Sequence, residues 1–239
     1  MGVLAKSDPA FVGMNRRDEV EYAPGRWADV YGDAEDPVAL LWHGTQTDSR
    51  AAVRLLAEAL AELGICVVAP DWDSHADDGG RADLLNSFDF ARSRGGGAAL
   101  IVIGWSLGGA AAAGLTLRAA GSTVSVAQAI CLAGAFMVND PISGRPVLER
   151  IADDGSRTPF TLISGTADAV VPPSVAVQFA TDLRALGWPV DVVELDADHG
   201  SIAGARYDGS LDRYEPADDP ATQAVVDMVA ERIAAIAFA

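Results

Sequence analysis

The sequence predicts an α/β fold in which a mostly parallel sheet of about seven or eight strands carries helices on both faces. Short, almost continuously apolar segments such as residues 38–42 and 98–103 indicate strands that are buried on both sides. These segments alternate along the chain with longer amphipathic segments, which is the order that produces a parallel sheet covered by helices. The chain has 239 residues, and half of them are hydrophobic. We therefore expect a single domain over residues 18–239 after a lead-in at residues 1–17.

The individual elements follow in chain order. Residues 19–22 and 27–31 alternate apolar and polar side chains on either side of Pro24-Gly25, which predicts an antiparallel hairpin at the edge of the sheet. Buried strands are predicted at residues 38–42, 65–69, 98–103, 124–132 and 160–164, and the last strand at residues 190–195. Helices are predicted at about residues 49–63, 82–92, 109–118, 173–186 and 221–238. Residues 135–158 form an excursion with room for one short helix.

Charge and composition exclude several classes of function. The net charge is −17, from 34 acidic and 17 basic residues, which argues against nucleic acid and anionic membrane surfaces as partners. The sequence has neither a run of 18 apolar residues nor a signal-peptide pattern at its amino terminus, so we expect a cytoplasmic protein with no membrane partner. Cys66 and Cys131 lie in apolar segments without metal-ligand spacing, and no phosphate-binding loop is present. We therefore expect neither a metal nor a cofactor.

The sequence Gly104-Trp105-Ser106-Leu107-Gly108 carries the strongest chemical signal. It joins the apolar strand predicted at residues 98–103 to the small-residue helix predicted at residues 109–118. A G-x-S-x-G sequence between a strand and a helix is typical of a nucleophile elbow, in which the serine hydroxyl stands at the tip of a sharp turn. The two glycines keep Cβ atoms out of this turn. We therefore predict Ser106 as a nucleophile.

A serine nucleophile needs a base, and the chain offers three histidines. His199 follows the strand predicted at residues 190–195, at the same sheet edge as the elbow, so we predict it as the base. Asp168 follows the strand at residues 160–164 and is predicted to orient His199. His43 also lies at this edge, but we expect it to brace its own loop, and we expect His75 to be exposed.

Two backbone amides are predicted to stabilise an oxyanion at this edge of the sheet. One is the N–H of Leu107, directly after the nucleophile. The other is expected from the loop His43-Gly44-Thr45-Gln46, with the N–H of Thr45 favoured over that of Gln46. Asp196 and Asp198, close to the base in sequence, are expected to form turns or remain solvated.

Four sequence stretches together resemble the α/β-hydrolase superfamily: HG at 43–44, GWSLG at 104–108, GTADAVVP at 165–172 and DHG at 198–200. Within it, the chain is most similar to small lidless carboxylesterases and the dienelactone-hydrolase-like branch. It departs from that branch in having Ser106 where dienelactone hydrolases have cysteine, and it lacks the HGGG loop of hormone-sensitive-lipase-type esterases. Residues 135–158 are too few for the large helical cap of many relatives. The resemblance implies a serine esterase with an open site.

Several side chains near the predicted strand ends are candidates for a substrate pocket: Gln46, Trp72, Trp105 and Phe136. The alternative is that the aromatic ones belong to the core. The function predicted from the residues is hydrolysis of small or medium carboxylic esters through an acyl-enzyme on Ser106. Thioester cleavage, acyl transfer or perhydrolysis would use the same groups, and a non-catalytic ligand-binding protein of the same fold is a further alternative.

Overall fold

The computed structural model of the chain describes residues 17–119, 125–149, 151 and 157–239. The strands, in chain order, are β1 (Arg17–Ala23), β2 (Arg26–Tyr31), β3 (Val38–Trp42), β4 (Cys66–Pro70), β5 (Leu100–Trp105), β6 (Val126–Leu132), β7 (Asn139–Asp140), β8 (Arg145–Pro146), β9 (Phe160–Gly165), β10 (Val190–Leu195), β11 (Ala205–Asp208) and β12 (Arg213–Pro216). The helices are α1 (Arg54–Glu62), α2 (Arg81–Arg94), α3 (Leu107–Ala119), α4 (Pro173–Ala185) and α5 (Pro220–Ala237), with short 3-10 turns at Arg50–Val53 and Ser201–Ala203.

Eight strands form the central sheet in the order β1-β2-β4-β3-β5-β6-β9-β10. Strand β2 pairs antiparallel with β1 and β4, and all other pairs in this sheet are parallel. The central strands β3, β4 and β5 are buried along their whole length, as expected for strands covered on both faces. The predicted α/β class, the parallel sheet of seven or eight strands and the antiparallel edge hairpin are thus confirmed.

Helices cover both faces of the sheet and bury two separate apolar layers. Helices α1 and α5 supply Leu56, Leu60, Val226 and Val229 to one layer. Helices α2, α3 and α4 lie on the other face, where the small residues of α3 let that helix pack closely. Successive residues of β5 alternate between the two layers, as the period of a strand requires. Because the strands are parallel, the loops after β3, β5, β9 and β10 all emerge at one edge.

Some predicted segments lie partly outside the described residues. The lead-in predicted at residues 1–17 does so except for Arg17, which begins β1. The same holds for residue 124 of one predicted strand and residues 150 and 152–156 of the excursion. The part of the excursion that is described contains no helix and no large cap. It forms a small hairpin of β7 and β8, held down by an ion pair in which Arg118 donates to the fully buried Asp140 at 2.6 Å.

The predicted last strand is not the last. After β10 the chain forms a second small hairpin, β11–β12, before α5 begins. Both ends of this hairpin bond to the turn at residues 200–204: Ala205 donates to the carbonyl of Gly200, and Ala217 donates to the carbonyl of Gly204. The part of the chain that is described has no helix both long and apolar enough to cross a membrane.

Candidate active site

Ser106 occupies a strained turn between β5 and α3. Its φ is 56°, a left-handed conformation that is uncommon for residues with a side chain. The turn is so tight that a Cβ at Gly104 would stand 2.1 Å from the carbonyl oxygen of Gly108, and one at Gly108 would stand 2.4 Å from the carbonyl oxygen of His43. Glycine at both positions is therefore a steric requirement, and the predicted elbow geometry is present.

The backbone of Ser106 is fixed by the neighbouring strand and loop. Its N–H donates to the carbonyl of Leu132 at 2.9 Å, and its carbonyl accepts from the N–H of Ala135 at 2.9 Å. The residue is largely buried, with 8% of its surface exposed. The strained turn is thus held by its surroundings.

His199 and Asp168 stand in line with this hydroxyl. The Nε2 atom of His199 lies 3.0 Å from Oγ of Ser106, and its Nδ1 atom lies 2.7 Å from Oδ2 of Asp168. Trp105 fixes the backbone of the histidine by donating its indole N–H to the carbonyl of His199 at 2.7 Å. Asp198 turns the loop by accepting the N–H groups of the next residues. The three residues selected from sequence are therefore brought together, and Asp198 is the turn former expected.

Asp168 is held as a carboxylate. Burial alone would raise its pKa, but hydrogen bonds from His199 and from the N–H groups of Val171 and Val170 outweigh burial, so the pKa lies below its usual value. Both of these N–H groups donate to Oδ1 at 2.8 Å. An ionised Oδ2 accepts the proton on Nδ1 of His199, which leaves Nε2 as the acceptor facing Ser106. This is the tautomer that a base for Ser106 requires.

His43 is a neutral structural histidine, as predicted. It is fully buried, and burial lowers its pKa to about 3. Its Nε2 atom accepts the backbone N–H groups of Ser49 at 3.2 Å and Trp72 at 3.3 Å. The ring proton is therefore on Nδ1, which donates to the carbonyl of Gly44 at 2.9 Å. His75, by contrast, lies in an exposed loop with Thr47, as expected.

This hydrogen bond orients the peptide group between Gly44 and Thr45. The carbonyl of Gly44 also accepts the N–H of Gln46 at 2.9 Å. Because a trans peptide is planar, holding its oxygen on one side directs the N–H of Thr45 to the other side. A Cβ placed on Gly44 would lie 3.1 Å from Cβ of Ser106, so the loop runs directly against the serine.

The two amides predicted as oxyanion donors remain the favoured pair. Leu107 is the first residue of α3, and an N–H in the first turn of a helix has no carbonyl acceptor within that helix. The N–H of Gln46 is used within its own loop, which removes it as the alternative to Thr45. Within the described ranges, no group of three or more His, Cys, Asp or Glu side chains is arranged to hold a metal ion.

Comparisons with known proteins agree with this arrangement at the level of the fold. No protein-family profile matches the chain, and no curated protein does. An esterase from the planctomycete Thermogutta terrifontis, solved with propionate bound, superposes with a TM-score of 0.67 at 18% identity, over 93% of this chain and 95% of that one. A structure of the same esterase phosphonylated by sarin gives a TM-score of 0.63 at 17% identity, over 98% and 99%. A protein from Staphylococcus aureus gives 0.66 at 12% identity, over 92% and 83%.

The chain has the α/β-hydrolase fold. At these identities the likeness concerns the course of the chain, and the chemistry depends on the residues themselves. In this fold the Ser106 elbow, the Asp168 loop and the His199 loop follow β5, β9 and β10, all at the carboxyl edge of the sheet.

Two of the four residues predicted for the pocket, Trp72 and Trp105, are buried and need correction. Trp72 is completely buried, stacks on His43 with ring centroids 5.3 Å apart, and donates to the His43 carbonyl. Trp105 is 1% exposed and supports His199. Gln46 uses its amide on the backbone of Tyr214. The two tryptophans thus lie beneath the loops of the site and offer no open surface. Gln46 is half-buried, and its place at the pocket stays a prediction.

Phe136, the fourth residue predicted for the pocket, lines an open groove. It is partly buried and stacks on Phe179 with ring centroids 3.8 Å apart. Together with Met137, Val147 and Leu148 these rings line an apolar groove of about 350 Å³ between the excursion and α4. The groove begins one residue after Ala135, which holds the backbone of Ser106.

Sequence reasoning missed Tyr214. Its ring meets Trp105 edge-on with centroids 5.1 Å apart, and lies 5.7 Å from the ring of His199. A signal was present, because Asp208-Gly209 is a turn sequence flanked by alternating residues. Recognising it would have predicted the β11–β12 hairpin, although not its position beside His199.

Proposed function

We propose that this protein is a serine hydrolase that cleaves small or medium carboxylic esters through an acyl-enzyme on Ser106. The observation that carries the proposal is the unbroken hydrogen-bonded line from Asp168 through His199 to Ser106, with contacts of 2.7 Å and 3.0 Å. A pure ligand-binding protein has no physical need for a strained serine aligned with an oriented base. The strain at Ser106 costs about 1–3 kcal/mol, which a functional role would justify.

The proposed reaction has two halves, acylation of Ser106 and hydrolysis of the acyl-enzyme, and the same groups act in both. Oγ of Ser106 attacks the ester carbonyl carbon while Nε2 of His199 takes the hydroxyl proton. The N–H groups of Leu107 and Thr45 stabilise the oxyanion, and collapse of the tetrahedral intermediate expels the alcohol, which receives the proton from His199. Water then attacks the acyl-enzyme with His199 as base, releasing the acid and regenerating Ser106. Asp168 stabilises the imidazolium formed in both halves.

Two observations support a small or medium acyl group. The Thermogutta terrifontis esterase has been solved with propionate and with butyrate bound. The groove beside Phe136 is apolar and has a volume of about 350 Å³, which is at the small end of the range for ligand sites. We propose that the apolar part of the ester lies in this groove.

Removal of the nucleophile tests the proposal. Ser106→Ala should lower kcat for p-nitrophenyl acetate on the order of 10⁶-fold, as expected when a triad serine is lost, with circular dichroism unchanged. A fluorophosphonate probe should label the wild-type protein at Ser106 alone. Ser93→Ala is the matched control, because Ser93 is exposed on α2 and its hydroxyl donates to a carbonyl of the same helix. Turnover retained by Ser106→Ala, or a folded wild type that the probe does not label, would exclude this mechanism.

A further inference from the structure

The β11–β12 hairpin closes one side of the candidate site and depends on other elements for its position. A two-stranded hairpin alone is marginally stable in water. This one places the ring of Tyr214 against Trp105 and His199, so its position bears directly on the base. Tyr214 must therefore be held in place by contacts from outside the hairpin.

The side chain of Gln46 supplies that contact. Its Oε1 accepts the N–H of Tyr214 at 2.6 Å, and its Nε2 donates to the carbonyl of Tyr214 at 3.1 Å and to the hydroxyl of Ser49. One amide thus pairs with both backbone groups of a strand residue, as a neighbouring strand would. Arg213 donates to the same Ser49 hydroxyl at 3.4 Å and is neutralised by Glu215.

Gln46 also controls the other half of the site through its backbone. Its N–H and the ring of His43 share the carbonyl of Gly44, which sets the plane of the Gly44–Thr45 peptide. The residue therefore shapes the oxyanion loop, to which it belongs, with its main chain, and contacts the hairpin beside the base with its side chain. A single residue thus links the oxyanion loop to the hairpin.

We propose that Gln46 is a positioning residue that fixes the oxyanion donor and the histidine base relative to each other. The inference rests on the proposed function, because it assigns Thr45 as an oxyanion donor. A misplaced donor affects the transition state more than the bound ester, since the charge on oxygen develops only during reaction. Loss of the hydrogen bonds between the Gln46 side chain and Tyr214 should therefore lower kcat and leave KM nearly constant.

The test compares Gln46→Met, which keeps the length and removes the hydrogen bonds, with Gln223→Met. Gln223 is partly exposed on α5 and its side-chain amide donates to Asp227, so the control loses a similar amide away from the site. Gln46→Met should lower kcat for p-nitrophenyl acetate by about 10- to 100-fold, less than deletion of a donor, with KM within about twofold. Gln223→Met should match the wild type. A folded Gln46→Met with unchanged kcat, or one altered only in KM, overturns the proposal.

Amide hydrogen exchange gives a second readout that is independent of activity. The N–H of Tyr214 should exchange slowly in the wild type and faster in Gln46→Met, which loses the side-chain oxygen that accepts it. Fast exchange of Tyr214 in the wild type overturns the proposal even where Gln46→Met does not fold. If wild-type turnover is absent or survives Ser106→Ala, the proposed function fails. If turnover depends on Ser106 but Gln46→Met keeps its kcat, only the positioning role fails.

Discussion

Protonation of His43 should destabilise the folded protein as the pH falls below about 6.5. The ring is completely buried, and its Nε2 already accepts two backbone N–H groups, so a proton there would displace both. Burial lowers the pKa from 6.5 to about 3. Between these values the unfolded chain binds a proton that the folded chain does not. The contribution of His43 to stability is therefore complete above the unfolded pKa and is lost as the pH falls toward the folded one.

The size of this effect follows from the two pKa values. One proton difference changes the free energy of unfolding by about 1.4 kcal/mol per pH unit. We expect a loss of about 2 kcal/mol between pH 7.5 and pH 5, and of up to about 5 kcal/mol near pH 3. The whole stability of a domain is about 5–15 kcal/mol, so the first part of this loss is already measurable. The lowered pKa of Asp168 also makes the protein less stable as the pH falls, whereas the raised pKa values of Asp71 and Asp83 have the opposite effect on stability. These three carboxyl groups change stability mainly at pH values near the ordinary carboxyl pKa.

Urea unfolding at a series of pH values measures this effect. The wild type and His75→Gln, which alters an exposed ring, should lose stability in parallel between about pH 7.5 and pH 5. His43→Gln should start a few kcal/mol lower, because some buried partners of the ring are left unpaired, and should lack this part of the pH dependence. Equal slopes for His43→Gln and the wild type, or a wild-type stability that does not change over this range, would refute the reasoning.

Three substitutions test other parts of the site. Asp168→Asn should lower kcat by about 10³–10⁴-fold with little change in KM, because an amide no longer favours the required tautomer of His199; steady-state kinetics measure this. Gly104→Ala should destabilise the fold by several kcal/mol in thermal unfolding, because the added Cβ meets the carbonyl oxygen of Gly108 at 2.1 Å. Phe136→Ala should raise kcat/KM for octanoyl over acetyl esters by about tenfold, because it enlarges the apolar groove.

Each of these has a matched control. Asp198→Asn alters a carboxylate on the histidine loop that makes no bond to the ring, and its kcat should stay within about tenfold of the wild type. Gly209→Ala adds a Cβ with only the ring of Tyr207 nearby, at 3.8 Å, and should not change Tm. Phe238→Ala removes an exposed ring at the end of α5 and should leave chain-length preference unchanged. Equal effects in a variant and its control would contradict the corresponding assignment.

The elements that the sequence predicts correctly are those whose local pattern is decisive. Strands β3 and β10 have the predicted bounds, because their apolar runs or alternation end at clear turn residues. The candidate triad could be proposed because parallel strands bring their following loops to one edge, so position in the chain implies position in space. The geometry around Ser106 follows from two glycines that nothing larger could replace.

The elements that the sequence does not reveal depend on tertiary contacts. The β7–β8 hairpin needs the buried pair of Arg118 and Asp140 to hold it, and neither residue signals this locally. Trp72 and Trp105 stand at strand ends like pocket residues, and only their hydrogen bonds to the His43 and His199 carbonyls identify them as supports. The amide of Gln46 finds its partner 168 residues away, beyond the reach of any sequence pattern.

That long-range contact has a consequence for the order of synthesis. Ser106 and His199 are 93 residues apart, and the side chain of Gln46 bonds to Tyr214 in β12, the strand before α5. Domains emerge during translation at about 5–20 residues per second, so the elbow leaves the ribosome several seconds before its base does. A nascent chain that ends before His199 contains the nucleophile but neither the base nor Tyr214, the partner of Gln46. Ester turnover during cell-free translation should therefore begin only after the segment that contains His199 and β12 has been synthesised, which makes the proposed activity a reporter of folding around these late elements.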